Sequence, residues 1–186
     1  MLGILVFLGL AAAAALLIVG IYNRLVRLRN ASESAFSDVD VQLKRRRDLI
    51  PNLVETVKGY ASHEQKTFQE VTEARNRAAA ASGPAEKGSA ERILGRAIAN
   101  VFAVAEAYPE LRASENFQQL QAELSKLEEA IQNARRYYNA IVRDLNTAVE
   151  SFPNNLVANN FGFAKGEYFE LDTPEDRQSP QVDFGS

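Results

Sequence analysis

The chain has 186 residues, with 21 Lys+Arg against 24 Asp+Glu and a single His, for a formal net charge of -3. That length suits one domain, and the acidic balance excludes a general attraction to nucleic acid. The absence of cysteine excludes a disulfide framework, thiolate metal ligation and a thiol nucleophile.

Residues 1–22, MLGILVFLGLAAAAALLIVGIY, carry no charged side chain. At about 1.5 Å rise per residue a helix of this length reaches about 33 Å, enough to cross a hydrocarbon core of about 30 Å. The run predicts a retained transmembrane helix rather than a signal peptide, because no Lys or Arg precedes it and cleavage in the alanine tract would leave an apolar terminus. Arg24, Arg27 and Arg29 follow immediately, so the positive-inside rule predicts an outward N-terminus and a cytoplasmic domain. The same three arginines sit at headgroup level, where each is worth about 1 kcal/mol against anionic lipid. Gly9 and Ala13 put small residues one turn apart on a face where two spans can approach closely.

Beyond residue 22 apolar residues recur at three- and four-residue steps and show no sustained alternation, so the fold class is all-α. Leu25, Ser32, Phe36, Val39, Leu43 and Ile50 form one stripe; Leu53, Val57, Tyr60, Glu64, Phe68 and Val71 continue it after Pro51, which marks a kink or a break. Residues 82–89, SGPAEKGS, read as a linker. A third helix is expected over 90–107, and Pro109 opens the next.

The clearest pattern runs through Phe117, Leu120, Leu124, Leu127, Ile131, Ala134, Tyr138, Ile141, Leu145, Ala148 and Phe152, a coiled-coil-like heptad seam. Ser114 can cap its start, and Pro153 stops it. Four amphipathic segments with short connections predict an elongated antiparallel four-helix bundle over 23–152. Residues 153–186 read as an irregular tail whose last residues are disordered.

These residues resemble those of the LemA family of bacterial membrane proteins. The likeness is carried by YNRLVRLRN at 22–30, DVQLKRRRDLIPNLVETVKGYASHE at 40–64, EARNRA at 73–78, AEAYPELRA at 105–113, NFQQLQAEL at 116–124, ARRYYN at 134–139 and FPNNLVANNFGF at 152–163. The resemblance implies a single-span protein of the bacterial inner membrane with a helical domain facing the cytoplasm. It supplies no catalytic residue set to carry over.

No chemistry is legible in the candidate clusters. Lys44, Arg45, Arg46 and Arg47 read as a solvated face, with Lys44 pairing Asp40 and Asp48 four residues to either side. His63 lacks the paired Glu-x-x-His motifs of a metal bundle, so no metal, cofactor or catalytic residue is assigned. Glu123, Glu128 and Glu129 lie off the seam, where charge pairing is the ordinary role, while Asn52, Asn133, Asn139 and Asn146 are placed to fix register between helices. Phe161, Phe163, Tyr168, Phe169 and Leu171 concentrate apolar surface in a polar tail that docks either on its own chain or on a neighbour.

The expected function is therefore a non-enzymatic, membrane-anchored scaffold. Association is expected along the seam at Phe117, Leu124, Ile131, Tyr138 and Leu145, with tail docking at Phe161, Phe163 and Phe169. Its expected partners are further copies of itself and membrane lipid, with no nucleic acid. An adaptor for a membrane-embedded protease or transporter is the alternative.

Overall fold

The computed structural model describes residues 1–170. Among them lie six helices and no strand: α1 (Leu2–Lys58), α2 (Gln65–Ala80), α3 (Gly83–Glu106), α4 (Pro109–Arg112), α5 (Glu115–Glu150) and α6 (Asn154–Phe161). The expected docking residue Leu171 and the end of the tail expected to be disordered lie outside the described residues.

Helix α1 is apolar and wholly uncovered at its start, where an 18-residue window has a mean hydropathy of 2.9 and no buried residue. From Leu25 onward it buries Ala35, Val39, Leu43, Ile50, Leu53 and Val57, a stripe at three- and four-residue steps. Pro51 neither kinks the chain out of helix nor ends it; α1 continues to Lys58. A proline at position 51 leaves the carbonyl of residue 47 without its helical donor. Arg75 of α2 supplies the missing hydrogen bond, its Nε donating to the Arg47 carbonyl at 3.0 Å.

The break falls later than the proline. A turn over 59–64 separates α1 from α2, so the stripe predicted to run from Leu53 to Val71 is divided: Tyr60 is exposed, while Phe68 and Val71 are buried on α2. His63 lies exposed in this turn.

Residues 82–89, expected as a linker, instead form the entry to α3. Pro84 occupies the first turn, where its missing N–H costs nothing, and the Ser82 N–H donates to the Glu86 carboxylate at 3.0 Å. Gly88 is there for a different reason, since a Cβ at that position would collide with the Glu170 carbonyl group. Its smallness reports a close backbone approach, not a flexible loop.

The end of α5 also differs from expectation. Phe152, assigned to the seam, is 79% exposed, and the segment after Pro153, expected to be irregular, begins with α6. Gly162, with φ 72°, closes α6; its N–H and that of Phe163 both donate to the Ala158 carbonyl, turning the chain back so that Phe163 is buried.

Two compact units result. The first comprises residues 1–39 and 133–168. Its core joins Leu25 of α1, Leu145, Ala148 and Val149 of α5, and Val157, Ala158 and Phe163 from α6 and the residues after it. The second comprises residues 40–132 with 169 and 170. Its core joins Leu53 and Val57 of α1, Phe68 and Val71 of α2, Leu94 and Val101 of α3, Leu111 of α4, and Phe117 and Leu124 of α5.

Two glycines of α3, Gly88 and Gly95, should respond to alanine with opposite signs. Gly95 faces open space, so Gly95→Ala gains helix propensity and raises stability by up to about 1 kcal/mol. Gly88→Ala should lower stability by about 1–3 kcal/mol because the Glu170 backbone must move. Thermal melts followed by far-UV circular dichroism check both signs.

Candidate functional site

In the first unit the residues next to the apolar run come together around aromatic rings. The Tyr22 ring lies 5.1 Å from Phe161 and 5.6 Å from Phe163, both edge-on. Arg29 stacks its guanidinium 5.5 Å over the Phe163 ring and lies 4.0 Å from the Glu33 carboxylate. Arg24 and Arg27 are exposed beside it. Of the three aromatic tail residues singled out from the sequence, Phe163 is buried here, Phe161 remains 52% exposed, and Phe169 is fully buried in the second unit.

After Gly162 the chain runs as a strap along α5. Asn146 grips the Gly166 peptide at both ends: its Oδ1 accepts the Gly166 N–H at 2.8 Å, and its Nδ2 donates to the Gly166 carbonyl at 3.1 Å. This pairing imitates a strand ladder with one side chain, satisfying backbone that has no helical or sheet partner. Lys165 reaches Glu150 at 2.9 Å, which raises the lysine pKa. The Tyr138 hydroxyl donates to the Glu167 carbonyl at 2.7 Å. Burial, seconded by the Glu167 charge, pushes the Tyr138 phenol up to about 12. Asn139 is also half-buried, whereas Asn52 and Asn133 are exposed.

The basic run of α1 is not a solvated face. Helical geometry divides it: Lys44 and Arg45 are exposed, Arg46 is 4% exposed and Arg47 is nearly buried. Lys44 pairs with Asp48 at 2.6 Å, and that hydrogen bond holds the Asp48 carboxyl below its ordinary range, whereas Asp40 pairs with Lys87 rather than Lys44. Arg46 falls on the buried stripe between Leu43 and Ile50, a heptad position ordinarily apolar. Its guanidinium bonds Glu91 of α3 and Glu128 of α5, each at 2.6 Å, and the Glu91 carbonyl at 3.2 Å. Arg47 takes the other Glu91 oxygen at 2.6 Å. The group is neutral, two cations to two anions, and Glu91 itself is 1% exposed.

Sequence reasoning missed this cluster. The available signal was a cation standing in phase with Val39, Leu43, Ile50 and Leu53; counted as a run of four, the basic residues hid it.

The seam residues divide between the units. Phe117, Leu124 and Ile131 are buried in the second, where Phe117 meets the Phe102 ring edge-on at 5.8 Å. Tyr138 and Leu145 are buried in the first, and the Tyr138 ring lies 5.4 Å from Phe36.

Two measurements bear on these sites. Glu91→Gln leaves two buried arginines short of an anion and should cost about 3–5 kcal/mol in urea unfolding, whereas Lys44→Gln on the exposed pair should change stability by about 0.5 kcal/mol or less. In a spectrophotometric titration, the Tyr138 phenolate should appear near pH 12 and vanish in Tyr138→Phe. Because the folded pKa is the raised one, this group's stabilisation is complete below pH 10 and is lost as pH rises from 10 towards 12.

The sequence matches the family model of the LemA family over residues 35–184. It is 30% identical to Protein LemA of Metamycoplasma hominis, the match covering 75% of this chain and 64% of the relative. It is 25% identical to Magnetosome protein MamQ 2 of Paramagnetospirillum magneticum and to Magnetosome protein MamQ of Magnetospirillum gryphiswaldense, covering 80% of this chain and 64% of each relative. The chain thus spans just under two thirds of the length of these curated relatives. A family match that includes the buried charge group, the long fifth helix and the Asn146 clasp, and takes in most of both units, shows that this chain belongs to the LemA family.

Proposed function

We propose that this protein is a single-pass, membrane-anchored helical scaffold that self-associates and presents its helical domain to cytoplasmic partners without catalysing a reaction. The observation that carries the reading is the start of α1. A stretch of apolar helix about as long as a membrane span is covered by none of the other described residues, yet runs without interruption into a helix that packs on one face. Water would make so large an uncovered surface unfavourable, and a bilayer removes that cost.

Arg24, Arg27 and Arg29 support an orientation with the domain on the cytoplasmic side of the bacterial inner membrane. Association between spans is supported by the Gly9 and Ala13 face, where a Cβ on Gly9 would meet no atom of the chain within 4 Å. The relatives named for the magnetosome support the reading in one respect: those names attach to a subcellular body and not to a reaction.

Topology is directly testable because the chain has no cysteine. Ser62 lies exposed in the turn after α1. In spheroplasts, Ser62→Cys should resist a membrane-impermeant maleimide until detergent is added. Labelling of intact spheroplasts would reverse the orientation.

A further inference from the structure

We infer that the corner between α5 and α6 is a second membrane contact, seated in the interfacial layer of the bilayer beside the point where α1 leaves the hydrocarbon. The inference rests on α1 being a membrane span. All of its residues belong to the first unit.

The depth of this corner follows from its neighbours. Tyr22 ends the uncharged run, and its ring touches Phe161. Three residues later, about 4.5 Å along the helix axis, Leu25 is buried in one core with Leu145, Ala148 and Val149 from the last turns of α5. The C-terminal end of α5 therefore lies beside the exit of the span, and the chain reverses there through 151–161.

The chemistry of the corner fits that depth. From residue 151 to residue 164, SFPNNLVANNFGFA, there is no charged side chain. Helix α6 turns Val157 and Ala158 into the core and leaves Leu156 61% exposed on the far side. Phe152, at 79%, and Phe161, at 52%, flank it. Asn159 and Asn160 are exposed on α6 and supply amide groups suited to the headgroup region. Apolar and aromatic tips among uncharged polar groups, with Arg29 stacked over Phe163 and the exposed Arg24 and Arg27 at the same level of α1, are what an interfacial segment over anionic lipid requires. The occupant is thus lipid: a protein partner would account for the aromatic residues, but not for their position at the end of the span, level with three arginines.

The chain contains no tryptophan, so one introduced residue is the only indole reporter. The full-length variants Phe152→Trp and Leu156→Trp would be placed in phosphatidylcholine–phosphatidylglycerol vesicles carrying lipids brominated near the headgroup or deep in the acyl chain. Leu10→Trp in the span and Tyr60→Trp in the turn serve as membrane and water references. The expected result is blue-shifted emission at Phe152→Trp and Leu156→Trp, with about twofold stronger quenching by shallow bromines than Tyr60→Trp shows. If Leu10→Trp is quenched by deep bromines while these two behave as Tyr60→Trp does, the second contact is overturned and the span stands. If Leu10→Trp also escapes quenching, both are overturned. Blue-shifted but unquenched emission at the corner would show protein covering it, and would overturn the assignment to lipid.

Discussion

The structure depends on one helix serving two solvents. Along α1 the first residues pack against none of the other described residues, and from Leu25 the same backbone carries a buried stripe. Hydrocarbon demands that every peptide group be satisfied within the segment, which only a helix does for a single span. Extending that helix past the membrane face gives the other elements a ready surface. In the first unit, α5 and α6 cover Leu25; in the second, α2 and α3 cover Leu53 and Val57. The helix can continue through Pro51 because Arg75 takes the carbonyl the proline leaves unpaired. A long helix with an interior proline is thus supported from outside, by a side chain 24 positions further along the chain.

The second unit carries a costly feature at its centre. A buried arginine is worth having only if its partners are in place, and the Arg46 charge is fully paired only when α3 presents Glu91 and α5 presents Glu128. Apolar stripes tolerate a slip by one helical turn, since one leucine replaces another. A slip here would strand a charge, so the group acts as a register device between α1, α3 and α5, in the manner of single polar residues in coiled-coil seams. The strap in the first unit works on the same principle: Asn146 recognises one peptide, that of Gly166.

Much of this was legible in the sequence, and the rest failed for identifiable reasons. The apolar span and the all-α class follow from local pattern, and the buried seam positions from Phe117 to Ala148 follow from spacing alone. The fate of Pro51 was not legible, because it depends on Arg75. Residues 82–89 looked like a linker because Gly, Pro and Ser are ambiguous: Pro84 starts a helix as well as it breaks one, and Gly88 answers to a backbone far away in sequence. Arg46 was hidden among three other basic residues, since composition counts charges while helical phase decides which of them is buried. Phe152 continued the seam in spacing, but α5 ends at Glu150, so the phase it obeyed no longer had a helix to act on. For Pro51 and Gly88 the missing information was a partner distant in sequence.

As a scaffold, the anchored domain assembles with itself, and native mass spectrometry of the full-length protein, released gently from membranes and compared with a chain lacking residues 1–22, reads that assembly. A homomeric assembly is expected for the full-length protein and a smaller one, or a monomer, once the span with its Gly9 and Ala13 face is removed. A full-length monomer, alone or bound in fixed ratio to one different membrane protein, would contradict the scaffold and leave the adaptor reading in its place.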